Sequence, residues 1–220
     1  MKVFLATAKL EDVRWGAEHG LIDGVLTTPA LLSAEVAGDG RDLLAEICQA
    51  VNLPVVATVG AVSAADIHRE GRDLARVSDS IIVQVPFVED AIVAIRRLSS
   101  EGVRVSATLV FNAAQALLAA KAGAASVNAH LDQLDAQGQE GVEVVREIRA
   151  VFDAVSAECD VFAALPRTAA QFAGCALAGA DGIALSMPVL RALMLHPLTD
   201  RGLDQLLQDL SRRPKARALQ

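Results

Sequence analysis

The sequence predicts an α/β protein, a (β/α)8 TIM barrel with one additional helix at its C-terminus. Three observations predict it. Eight short apolar runs alternate with amphipathic stretches from end to end, the pattern of parallel strands joined by helical crossovers. Hydrophobic residues reach 53%, much of it Ala, Val and Leu, with aromatics at 3% and no Tyr; small and β-branched side chains suit strands buried on both faces. The length of 220 residues fits the ~200–250 residues of one barrel. Even spacing and small size favour a closed barrel over an open sheet. No low-complexity linker or shift in composition interrupts the chain, so residues 1–220 read as a single domain.

The first four strands are expected at Val3–Ala6, Ile22–Leu26, Val55–Val59 and Ile81–Val85, each a short apolar run. The last four are expected at Val103–Val110, Ser126–Asn128, Val161–Leu165 and Gly182–Leu185. The intervening segments read as helices. One is Ala64–Val77; another is Val142–Val155, which sets Val145, Ile148, Val151, Phe152 and Val155 on one face. Gly20, Gly102, Gly123 and Gly179 each fall between a helical run and the next strand, where a helix C-cap takes positive φ. Asp200–Leu210 is an amphipathic stretch after the eighth unit, which places the extra helix at about 199–211 and a tail at about 212–220. The tail carries Arg212, Arg213, Lys215 and Arg217 and reads as a solvated terminus.

Charge and cysteine usage exclude several classes. The net charge is −7 and the pI about 5.1, with no long basic face for a phosphate backbone, so no nucleic-acid partner is expected. No apolar run approaches the ~20 residues of a membrane span. Cys48, Cys159 and Cys175 form no CxxC or Cys/His cluster. They read as reduced, which points to the cytoplasm, with Cys48 packing beside Leu44, Ile47 and Val51. No GxGxxG or P-loop occurs, and no cofactor or metal is expected.

Two stretches carry a family resemblance. Phe111-Asn112-Ala113-Ala114-Gln115-Ala116-Leu117-Leu118-Ala119-Ala120-Lys121-Ala122-Gly123-Ala124 resembles the segment after strand five of the small transaldolase / fructose-6-phosphate aldolase family. His196-Pro197-Leu198-Thr199-Asp200-Arg201-Gly202-Leu203 resembles its C-terminal motif. Gly20–Val25 and Leu134–Gly138 add to this, and the resemblance runs the length of the chain. It implies a (β/α)8 barrel and assembly into pentamers or decamers through the C-terminal helix. It also implies metal-free cleavage or formation of a C–C bond in a ketose through a lysine Schiff base.

The chemical positions depart from that family. Its lysine ends strand four in a pattern like V-V-K-I-P; here the pattern is Ile82-Val83-Gln84-Val85-Pro86. An amide nitrogen shares its lone pair with the carbonyl, so Gln84 cannot attack a ketone and can only exchange hydrogen bonds. The family's Asp on strand one is Ala6, the Asn of T-T-N-P is Thr28, and a Glu or Gln on strand three is Thr58. The Tyr or Phe after strand six is His130, the Arg beyond it is Gln133, and a Ser on strand seven is Leu165. Thr27, Thr108 and Arg167 are kept; by resemblance Thr108 holds the reactive water and Arg167 the substrate phosphate.

Gln84, Thr108 and His130 are therefore the candidate catalytic centre. Thr27, Thr28, Thr58, Asn112 and Arg167 are the candidate substrate contacts, and the ligand is a small molecule, possibly phosphorylated. Asn112 also fits a helix N-cap. His130 fits either a general acid–base or a surface loop residue, and Asp132 is near enough in sequence to orient it. Lys9, just past strand one, is either a relocated nucleophile or a solvent-facing helix start. Lys121 lies on a helix and Lys2 at the opposite end of a strand. His196 reads as structural, and His19 and His68 as surface residues. Three functions stay open: an enzyme of altered chemistry, a non-catalytic scaffold or sensor, and an ordinary transaldolase or aldolase that uses Lys9.

Overall fold

The computed structural model describes residues 1–38 and 40–212. Its strands are β1 (Lys2–Ala6), β2 (Gly24–Thr27), β3 (Val55–Thr58), β4 (Ile81–Pro86), β5 (Val105–Val110), β6 (Ser126–His130), β7 (Asp160–Ala164) and β8 (Gly182–Leu185). All pair in parallel with their sequence neighbours, and β8 closes on β1. The chain is thus a (β/α)8 barrel. The helices are α1 (Leu10–Glu18), α2 (Pro29–Glu35), α3 (Arg41–Ala50), α4 (Ala64–Ala75), α5 (Glu89–Ser100), α6 (Ala113–Ala122), α7 (Leu131–Ala136), α8 (Gly141–Val155), α9 (Ala169–Leu177), α10 (Met187–Leu193) and α11 (Pro197–Arg212). The extra C-terminal helix is α11, a little longer than expected. The basic residues 213–217 of the tail lie outside the described residues.

Strand alternation builds two cores. Odd-numbered positions such as Leu5, Val25, Val55, Val83 and Val105 face the helices in the main core. Phe4, Val56, Phe162 and Ala184 form a separate cluster inside the barrel, packed with Leu26 and Ile82. Phe4 and Phe162 meet edge to face at 5.1 Å. Glycine makes room for both rings: a Cβ on Gly24 would lie 2.3 Å from Phe4, and one on Gly182 would lie 2.2 Å from Phe162.

Several boundaries differ from the sequence reading. Ile22 is buried but lies before β2, because Asp23 meets β1 through both backbone and side chain: its N–H donates to the Val3 carbonyl and its carboxylate accepts from the Val3 N–H. β6 runs on to His130, so this histidine ends a barrel strand and is not on a surface loop. Leu165 lies just beyond β7 at φ 59°. The four glycines expected to end helices do have positive φ. Cys48 is half-buried against the core, while burial pushes the Cys159 and Cys175 thiols up to about 12 and about 11.

The β5–β6 pair carries an irregularity. Ala107 pairs with Val127 and Val110 with Ala129, so three steps on β5 match two on β6. Leu109 is the extra residue, at φ 58°. This bulge lets Thr108 face the barrel interior while Val110 still faces the helices.

Candidate active site

The C-terminal ends of barrel strands are where such folds place their chemistry. Here they surround a cavity of about 330 Å³. Gln84, Thr108, His130, Asn128, Thr28 and Ser186 line it with polar groups; Leu26, Leu31 and Leu165 supply apolar walls. A second cavity of about 390 Å³ opens at the N-terminal mouth. It shares Leu26, Asn128 and Ala184 with the first, so one layer of side chains divides them. The upper cavity is the candidate site, because the three expected catalytic residues meet there.

Backbone register brings these groups together. Thr58 pairs with Gln84 across β3–β4, and Pro86 with Thr108 across β4–β5. Gln84 is 3% exposed, and its Oε1 lies 2.7 Å from the Thr58 hydroxyl. That hydroxyl also lies 3.1 Å from the Thr27 carbonyl, and its single proton serves one of the two at a time. Thr108 Oγ1 and His130 Nε2 are 2.8 Å apart. The Phe111 ring stands 6.3 Å from the imidazole, tilted.

Burial holds the His130 imidazole below its ordinary value, and the nearby Asp132 charge acts in the opposite sense. Burial therefore favours the neutral ring. His130 is the one titratable residue among those lining the upper cavity; lysine and carboxylate are absent from that lining. Among the described residues, no cluster of His, Cys, Asp or Glu could hold a metal ion.

The remaining expected contacts divide. Thr28 lines the cavity while capping α2 through Leu31 N–H. Thr58 reaches the site through Gln84. Thr27 is fully buried in the barrel wall, where its hydroxyl donates to the Val56 carbonyl at 2.9 Å. Asn112 is an exposed cap of α6, its Oδ1 accepting from Gln115 N–H at 2.9 Å. Arg167 is not in the lining; its guanidinium is exposed, 3.9 Å from Asp132 Oδ2.

Other candidates fall away from the cavity. Lys9 precedes α1, is exposed and is absent from the lining. Lys2 pairs with Asp160 at the opposite barrel end, and Lys121 closes α6. His196 Nδ1 accepts from Leu198 N–H at the start of α11, a capping role. His19 stacks on Trp15, and His68 meets Glu101 on the surface.

Sequence reading missed the serines of a polar layer at the floor of the site, where they meet Asn128. Asn128 Nδ2 and the Ser126 hydroxyl both donate to Ser106 Oγ, at 2.7 and 2.8 Å. The available signal was parity: Ser106 lies two residues before Thr108, and Asn128 two before His130, so each shares a strand face with a candidate residue.

Comparison with known proteins agrees with the architecture. Residues 3–218 match the family described as Transaldolase/Fructose-6-phosphate aldolase. A "Probable transaldolase" of Herpetosiphon aurantiacus is 40% identical over 216 residues, covering 98% of this chain and 97% of the relative. Another "Probable transaldolase", from Hyphomonas neptunium, is 41% identical over 212 residues, covering 95% and 96%. A solved structure, a cube-shaped, highly porous protein cage designed by fusing symmetric oligomeric domains, matches with a TM-score of 0.61. It is 16% identical and covers 95% of this chain and 76% of that one, a likeness of fold alone. With nearly its whole length matched, the chain belongs to the transaldolase/fructose-6-phosphate aldolase family.

Proposed function

We propose that this chain is a transaldolase-like protein of carbohydrate metabolism that has lost Schiff-base chemistry and holds a small carbonyl or sugar ligand by hydrogen bonds. One observation carries the reading: Gln84, Thr108 and His130 line a single cavity whose lining holds no primary amine. A decayed site would give its polar residues no mutual geometry. Here Gln84 is bonded to Thr58, and Thr108 to His130.

In this reading the Gln84 amide donates to the ligand carbonyl. The Thr108 proton turns from His130 to a ligand oxygen, and Nε2 of the neutral imidazole takes a proton from the carbon beside the carbonyl. The C–H electron pair forms the C=C bond of an enediolate, and the carbonyl pair moves to the oxygen held by Gln84 and Thr108. Return of the proton restores the ketone. Thr28 shapes the pocket wall and Thr58 holds the Gln84 amide in place. The protein acts in the cytoplasm as one domain within a homo-oligomer, a pentamer or decamer by family resemblance.

Deuterium exchange tests this. Dihydroxyacetone incubated with the protein in D2O is expected to exchange its carbon-bound protons, read by proton NMR, and His130→Ala to slow exchange by about 10²-fold or more. The base must be neutral and its value is lowered, so activity should persist below pH 6.5 before protonation removes it. Saturable binding with no exchange would favour a sensor or scaffold. Neither binding nor exchange would reject the reading.

A further inference from the structure

Asp132 lies in the first turn of α7, two residues after His130. Among the described residues, His130 Nδ1 and Asp132 Oδ1 are each buried with no hydrogen-bond partner. Folded proteins almost always satisfy buried polar atoms, so two orphans this close in the chain are informative. Their chemistries are complementary. A neutral imidazole protonated at Nδ1 needs an acceptor there, and a carboxylate oxygen accepts and never donates. One hydrogen bond between them would satisfy both.

The surroundings leave few other partners. His130 pairs in register with Ala164 on β7, and from β5 it meets the neutral Thr108 hydroxyl. Phe111 offers an aromatic ring. The charge that acts on the imidazole is Asp132. The other oxygen of Asp132 lies 3.9 Å from Arg167 Nη2, which steadies the carboxylate from the solvent side.

We propose that Asp132 is a positioning residue for His130: its Oδ1 accepts the Nδ1 proton, fixes the tautomer, and leaves Nε2 as the basic atom facing Thr108 and the cavity. This deepens the reading of His130 as a base and rests on it. Arg167 faces Asp132, and Thr108 faces His130; the proposed bond joins the two pairs. A carboxylate that orients a histidine also stabilises the imidazolium formed when Nε2 takes a proton.

The test reads the tautomer directly and the chemistry separately. Proton–nitrogen NMR of the imidazole should place the His130 proton on Nδ1 in the full-length protein. In Asp132→Ala it should shift toward Nε2, and the imidazole should titrate at a lower pH than in the wild type. Exchange of dihydroxyacetone protons should fall about tenfold or more in kcat, with little change in KM. Asp132→Asn keeps an acceptor but loses the charge, so it should keep the Nδ1 proton while lowering the imidazole pKa and the rate. If Asp132→Ala does not fold, the wild-type tautomer and Asp132→Asn still decide. A wild-type proton on Nε2, or a tautomer and pKa indifferent to both variants, overturns the proposal. Absence of exchange in the wild type would instead count against His130 as base, while the tautomer would still report on Asp132.

Discussion

In the proposed reading Gln84 takes the place of the family's lysine, and Ala6 and Thr28 around the same cavity differ from the family pattern as well. Gln84 itself is 3% exposed and is bonded to Thr58. No carboxylate lines that cavity to shuttle the protons of a Schiff-base cycle. Gln84→Lys is therefore expected to restore little cleavage of fructose 6-phosphate, assayed by release of glyceraldehyde 3-phosphate. Adding Ala6→Asp and Thr28→Asn should raise it well above the single variant. Efficient cleavage by Gln84→Lys alone would mean that the rest of the family site is intact. The three catalytic candidates were legible through the family resemblance, and the converging strand ends of the barrel bring them to one cavity. Arg167 could not be placed that way: the chain turns outward after Leu165, and its guanidinium meets Asp132 instead of the cavity.

At the level of elements, β5 shows how a strand aims a candidate site residue, Thr108, into the cavity. A period-two pattern reveals a strand but not an inserted residue, so Val103–Val110 read as one regular run. The structure starts β5 at Val105 and bulges it at Leu109, whose positive φ is costly for any residue with a Cβ. Leu109 is 36% exposed, so the burial of the rest of its surface offsets part of that cost. Leu109→Val, favourable by strand propensity, should destabilise the protein by about 1–2 kcal/mol in urea unfolding. Leu109→Gly, which accepts positive φ, should be close to neutral. A stabilising valine would mean that the bulge is not fixed in solution. His130 was ambiguous for a related reason: from Ser126 to Asn128 the apolar pattern fades, yet β6 pairs with β7 as far as His130↔Ala164. Ladder hydrogen bonds extended the strand where hydrophobicity gave no sign.

For the whole molecule, the family match spans the barrel and α11 alike, yet the described residues of α11 present an exposed apolar face. Leu203, Leu206, Leu207 and Leu210 follow helical spacing on α11, and all four are exposed. A contiguous apolar stripe of this kind marks an association surface. Sedimentation velocity is expected to find a pentamer or decamer, and Leu206→Asp with Leu207→Asp to release smaller species that keep their circular dichroism. A wild-type monomer at micromolar concentration would contradict the assembly. The central claim, that the pocket works without an amine nucleophile, is tested most directly on the intact protein. Incubation with dihydroxyacetone or fructose 6-phosphate, reduction with borohydride and intact-mass measurement should give an unmodified chain. A stoichiometric adduct, mapped by peptide digestion to Lys9 or any other lysine, would contradict it.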